Sequence, residues 1–189
     1  MNKPDPAALR ASRLKLLLVM LVFAAPIVAA IVLTLAGWQP SGKANGQPVA
    51  PQRNFAAEQV PVSLTNGDTW AWRAHEPQLT LVALAGPNCA AHCLDVLTKM
   101  AAARITLNQN APRLRLLYVG KPPADAAASG MTKYWKLGQD SMGALTPFTP
   151  STPDSVSALL VESDGTALSF YPAGFDATGL RKDLQKVIR

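Results

Sequence analysis

At 189 residues with a formal net charge of +6, the chain has room for one ordinary domain and an extension. The apolar fraction is 49% against 16% charged, and the imbalance is concentrated near the amino end. Beyond residue 37 the chain carries +3 with no basic run, which describes a solvated surface and excludes a nucleic-acid footprint.

Residues 16–37, LLLVMLVFAAPIVAAIVLTLAG, contain no charge. A hydrocarbon core takes ~20 helical residues to cross, so this run predicts a transmembrane helix, and Pro26 within it is tolerated in lipid. A cleavable signal peptide is the competing reading. Its apolar region would run only ~7–15 residues before a small-residue cleavage site, whereas here the run continues past Val28-Ala29-Ala30 to Ala36. Residues 1–15 carry Lys3, Arg10, Arg13 and Lys15 against Asp5 alone, so they form a cytoplasmic tail, and everything after Trp38 lies outside. The expected location is a bacterial inner membrane, single-pass, with the carboxyl-terminal domain in the periplasm, where disulfides are permitted.

Residues 38–55 open with WQPSGKANGQPVAPQRN, proline-rich and without apolar periodicity, and read as a flexible tether. VPVSLTNGDTWAWRA at 60–74 alternates on either side of Asn66-Gly67, which predicts a β-hairpin. QLTLVALA at 78–85, bounded by Pro77 and Gly86, predicts a buried strand. Leu94, Leu97, Met100, Ala101 and Ile105 recur at helical spacing and predict an amphipathic helix over about 90–108. LRLLYV at 114–119 is the next strand, so strand, crossover helix and strand make a parallel βαβ unit. Residues 121–152 carry little periodicity; MTKYWKLGQDSMG within them reads as one helix and a loop. SALLVE and TALSFY around Asp164-Gly165 form a closing hairpin, and a helix over 176–188 follows with Asp176 as N-cap.

Both cysteines fall in GPNCAAHCLD at 86–95. The element order puts Cys89 at the carboxyl end of a buried strand and Cys93 in the first turn of the next helix, a crevice where open α/β sheets handle ligands. The partial positive charge of a helix N-terminus favours thiolate over thiol, and a thiolate is both a nucleophile and a metal ligand. Cys89, preceding the helix, is the better-placed nucleophile, and Cys93 would resolve a mixed disulfide. His92 is adjacent in sequence and need not face either sulfur. His75, beside Trp70, Trp72 and Arg73, reads as a surface residue, and the tryptophans read as core. There is no G-x-S-x-G or phosphate loop, so hydrolase and nucleotide-binding functions have little support.

With this order, residues 56–189 resemble a thioredoxin-like domain, and the fold class expected for the whole chain is α/β, one transmembrane helix followed by that domain. The Cys89-x3-Cys93 spacing behind a membrane anchor, with LLVESDGTALSFYPAGFDATGLRKDLQKVI at the end, is similar to the Sco/SenC family of cytochrome oxidase assembly proteins. The resemblance implies Cu(I) at Cys89 and Cys93 with a distant histidine, and an oxidase subunit or another assembly factor as partner at the inner membrane. The chain departs from that pattern where the histidine would stand. The stretch before the closing hairpin reads Pro153-Asp154-Ser155-Val156-Ser157, and no histidine follows His92. Two thiolates alone suit soft Cu(I), and Met131 and Met142 read as packing rather than as further ligands.

Two functions therefore remain open from the residues. One is a tethered thiol–disulfide oxidoreductase or Cu(I)-handling factor for oxidase assembly. The other is a non-catalytic scaffold or interaction protein whose Cys89–Cys93 bridge is structural. So short a loop gains little chain entropy from a bridge, and cysteines four apart on a regular helix would sit near the upper limit of disulfide geometry. Both considerations favour the first.

Overall fold

Alternating burial along three consecutive central strands organises the domain. In β3 (Leu79–Ala85), Leu81, Ala83 and Ala85 face one layer of the core, while Val82 and Leu84 face the other. β4 (Leu114–Val119) divides in the same way, with Leu114, Leu116 and Tyr118 against Leu117 and Val119. So does β6 (Val156–Val161), with Val156, Ala158 and Leu160 against Leu159 and Val161. Both faces of these strands are covered, which is why they read as near-continuous apolar runs, each interrupted once, by Thr80, Arg115 and Ser157.

The computed structural model describes residues 6–35, 44–123, 126 and 130–188. It divides into two compact units, Met1–Lys43 and Ala44–Arg189. The first is a helix, α1 (Pro6–Leu35), with Pro26 inside it. Its consecutively described side chains, residues 19–33, are all exposed. Among the described residues no helix is long and apolar enough to cross a membrane. Residues 1–5 of the expected tail and 36–43 of the expected span and tether lie outside the described residues.

The second unit holds, among the described residues, a seven-stranded sheet of order β1-β7-β6-β3-β4-β5-β2. Here β1 is Gln47–Pro48, β2 is Val62–Leu64, β5 is Lys136–Asp140 and β7 is Ala167–Tyr171. β3 pairs parallel with β4 and antiparallel with β6, while β4 pairs parallel with β5. The βαβ unit is as expected, its crossover carried by α2 (Ala91–Ile105). α2 packs beside α4 (Ala177–Val187) on one side of the sheet. Asp176 caps α4, its carboxylate accepting from the backbone N–H of Thr178 at 2.9 Å and Gly179 at 3.0 Å.

Three expectations are corrected. The folded unit begins at Ala44, so residues 44–55 are part of the domain rather than of a flexible tether. Asn45 donates its backbone N–H to Asp183 Oδ2 at 2.6 Å and its amide to Asp183 Oδ1 and Gly179 O, both at 3.1 Å. β1 then joins the sheet edge at β7, and Phe55 is fully buried. Second, the Asn66-Gly67 hairpin turn forms, with Gly67 at φ +89° and the N–H groups of Leu64 and Trp70 donating across it to Asp68 O at 2.7 Å and Val62 O at 2.8 Å. Its return arm adds only the Ser63–Thr69 bridge and does not become a strand. β2 pairs instead with β5. Third, residues 131–140 are not a helix and a loop but one helical turn, α3 (Met131–Tyr134), followed by strand β5.

Asp183 joins the amino-terminal segment to α4. It is buried and accepts from Asn45 and, at 3.2 Å, from the Tyr171 hydroxyl. Replacing it with alanine leaves those donors unpaired, and we expect a loss of about 2–3 kcal/mol, read from the denaturant midpoint of the full chain.

Candidate functional site

β3 ends at Ala85, and Gly86-Pro87-Asn88 lead to Cys89, with Asn88 in the left-handed region at φ +54°. α2 then starts at Ala91, which leaves Cys89 in the connecting loop and Cys93 in the first turn. The two sulfurs are joined in a disulfide across a Cα–Cα distance of 5.2 Å. That distance lies inside the ordinary range. The upper-limit geometry expected for two cysteines on one regular helix does not arise, because Cys89 precedes the helix. Cys93 is 0% exposed, whereas Cys89 is half-buried at the edge of the core layer beneath α2.

Ala90, at the N-cap position, has no side-chain oxygen to satisfy the first amides of the helix. Asp154 performs this capping from the loop that precedes β6. Its Oδ1 accepts from the backbone N–H of Ala90 at 2.8 Å and of Cys93 at 2.9 Å, and its Oδ2 accepts from His92 N–H at 3.1 Å. The Cys93 amide first, and then those of Ala90 and His92, hold the Asp154 carboxyl below its ordinary value, so it is charged at neutral pH. The helix N-terminus expected to favour a thiolate is thus already engaged by a carboxylate.

Two backbone bonds fasten the loops to each other: Gly86 N–H donates to Ser155 O at 2.9 Å, and Asp154 N–H donates to Pro87 O at 3.0 Å. The approach is close at Gly86, where an added Cβ would stand 2.4 Å from Thr152 O.

The remaining sequence candidates do not join the pair. The His92 and His75 side chains are exposed, and Trp70, Trp72 and Trp135 are buried. Met131 belongs to the core under α2, and Met142 is 77% exposed. The donors offered to a metal are therefore two soft sulfurs and one hard carboxylate already bound to amides. This set does not reproduce two cysteines and a histidine. Among the described residues no group of three or more His, Cys, Asp or Glu side chains is arranged to hold a metal ion. Asp154 was not singled out by sequence reasoning. The available signal was Ala90 itself, a helix start without a capping side chain, which requires a cap from elsewhere in the chain.

A central parallel pair, an antiparallel closing hairpin and a two-cysteine loop at the start of the crossover helix define a thioredoxin-like protein. A family model described as transmembrane-like, thioredoxin-like, C-terminal domain matches residues 79–189, and the chain belongs to that family. No curated protein is significantly similar in sequence. Among solved structures, apo Sco1 from Thermus thermophilus is similar at a TM-score of 0.55 and 15% identity, over 79% of this chain and 99% of that one. Copper-bound ScoI from Arabidopsis thaliana is similar at a TM-score of 0.51 and 15% identity, over 77% and 99%. The bacterioferritin comigratory protein of Xanthomonas campestris, described for alkyl peroxide reduction, is similar at 0.51 and 15%, over 77% and 97%. At these identities the likeness is one of fold.

Proposed function

We propose that this protein is a membrane-tethered thioredoxin-like factor that exchanges dithiol for disulfide at Cys89 and Cys93 in the bacterial periplasm, in support of cytochrome oxidase assembly. The observation that carries the reading is the asymmetry of the pair. A half-buried Cys89 in a loop is linked to a fully buried Cys93 in a helix, the arrangement of an attacking sulfur and a resolving one. The uncharged run at residues 16–37 and its basic flank support the anchor and its orientation. The Sco/SenC-like spacing and the Sco-like fold support the assembly context.

Cu(I) as cargo of the reduced pair is the second reading. The two soft sulfurs favour it, as does the copper-bound structure with a similar fold. Asp154 adds no soft donor, so no step here depends on copper. The scaffold alternative, with a structural bridge, differs in its redox behaviour. A potential below about −300 mV marks a disulfide that resists reduction, and a value there with no exchange would favour the scaffold.

The deciding experiment replaces Cys89 by serine in the full chain and measures cytochrome oxidase activity in membranes. The expected result is loss of activity; wild-type activity would overturn the assembly reading.

A further inference from the structure

We propose that Asp154 is a positioning residue that sets the balance between the disulfide and dithiol forms of Cys89 and Cys93, by occupying the amide donors at the start of α2 and placing a negative charge there. The inference rests on the exchange reading of the pair.

Attack by an external thiolate on the accessible Cys89 sulfur releases Cys93 as a thiolate, and a second thiol then frees Cys89, whose thiolate is the attacking form of the reduced pair. Cys93 lies in the first turn of α2 and Cys89 is adjacent to Ala90, so either sulfur bears this charge at the start of α2. An N-terminus with free amides would stabilise the charge and favour the dithiol form. Here the Ala90, His92 and Cys93 amides all donate to Asp154. The carboxylate also opposes a second negative charge nearby. Both effects disfavour the open form and hold the pair as a disulfide. Asp154 is itself fixed in place. It sits at φ +51°, its own N–H is bound to Pro87 O, and the next residue, Ser155, accepts from Gly86. The helix cap and the redox pair are therefore one electrostatic unit assembled from two distant loops.

The test equilibrates the full-length protein in detergent with reduced and oxidised glutathione and measures the fraction of dithiol. In this equilibrium two glutathione thiols give up two electrons and two protons and form their own S–S bond. The Cys89–Cys93 bond opens to two thiols and takes up those electrons and protons. Asp154→Asn removes the charge at nearly constant shape. Asp154→Ser keeps a capping oxygen without the charge, and it decides the matter if the asparagine variant does not fold. The exchange constant is expected to move towards dithiol by about fivefold, the upper range for a charge at a helix terminus, or about 20 mV for a two-electron couple. Thermal unfolding of the oxidised forms reports folding separately. A purely structural cap would lower the unfolding midpoint and leave the exchange constant unmoved. A shift below twofold in a folded variant overturns the proposal. If glutathione cannot open the wild-type pair, the same comparison is made with dithiothreitol. A shift there would uphold the role of Asp154 while removing the exchange reading; no shift would overturn it.

Discussion

Cys93→Ser in the full chain is expected to accumulate as a covalent adduct with its redox partner. Cys89, the more accessible sulfur, attacks the partner's disulfide, forming a mixed disulfide and releasing one partner thiol. In the native chain the Cys93 sulfur then attacks Cys89, closes the internal bridge and releases the second partner thiol. Serine has no sulfur to perform this step, so the intermediate persists. Non-reducing electrophoresis of membranes should show a high-mass species that collapses on reduction. The species should be absent in Cys89→Ser and in the double variant. A Cys93→Ser chain that remains monomeric under oxidising conditions would exclude Cys89 as the attacking group. The burial difference predicts the asymmetry, because attack on a partner requires an approach from solvent and Cys93 offers none.

Gly86→Ala carries the second large effect. The new methyl would stand 2.4 Å from Thr152 O and 3.0 Å from Pro150 O. These are backbone atoms, which cannot rotate away as a side-chain end can. The loop of residues 150–155 must retreat, and the Gly86–Ser155 and Asp154–Pro87 hydrogen bonds lengthen with it. Overpacking of this kind costs about 3 kcal/mol. Denaturant unfolding should report the loss, and hydrogen exchange should show the Ala90, His92 and Cys93 amides opening as Asp154 is pulled off them. An alanine variant of native stability would mean that the two loops are not held together as described.

The central strands and α2 were legible in sequence because their signal is local. Residues 78–85, between Pro77 and Gly86, end in the unbroken apolar run 81–85, and residues 114–119 are apolar but for Arg115. Leu94, Leu97, Met100 and Ala101 mark one helical face. β5 was not legible. Lys136–Asp140 is short, mostly polar and broken by Gly138, features that weaken a strand signal. That glycine is explained by a neighbour distant in the chain, since a Cβ there would meet Val62 Cγ1 at 2.7 Å. The ordered start at Ala44 was hidden in the same way. Asn45, Gly46 and Gln47 look like linker composition, yet Asn45 is held by Asp183, 138 positions later.

By itself the sequence determined the two thiols, their place between a buried strand and a helix, and the βαβ order that makes the domain thioredoxin-like. Each of these follows from periodicity or spacing within a few tens of residues. Only the tertiary structure decided what faces the pair. Asp154 lies 61 positions from Cys93 and is brought to its amide by the antiparallel return of β6 beside β3. No local pattern marks an aspartate whose work is done at the end of another element. The carboxylate occupies the helix terminus because Ala90 leaves those amides without a cap and the sheet delivers an acceptor to them.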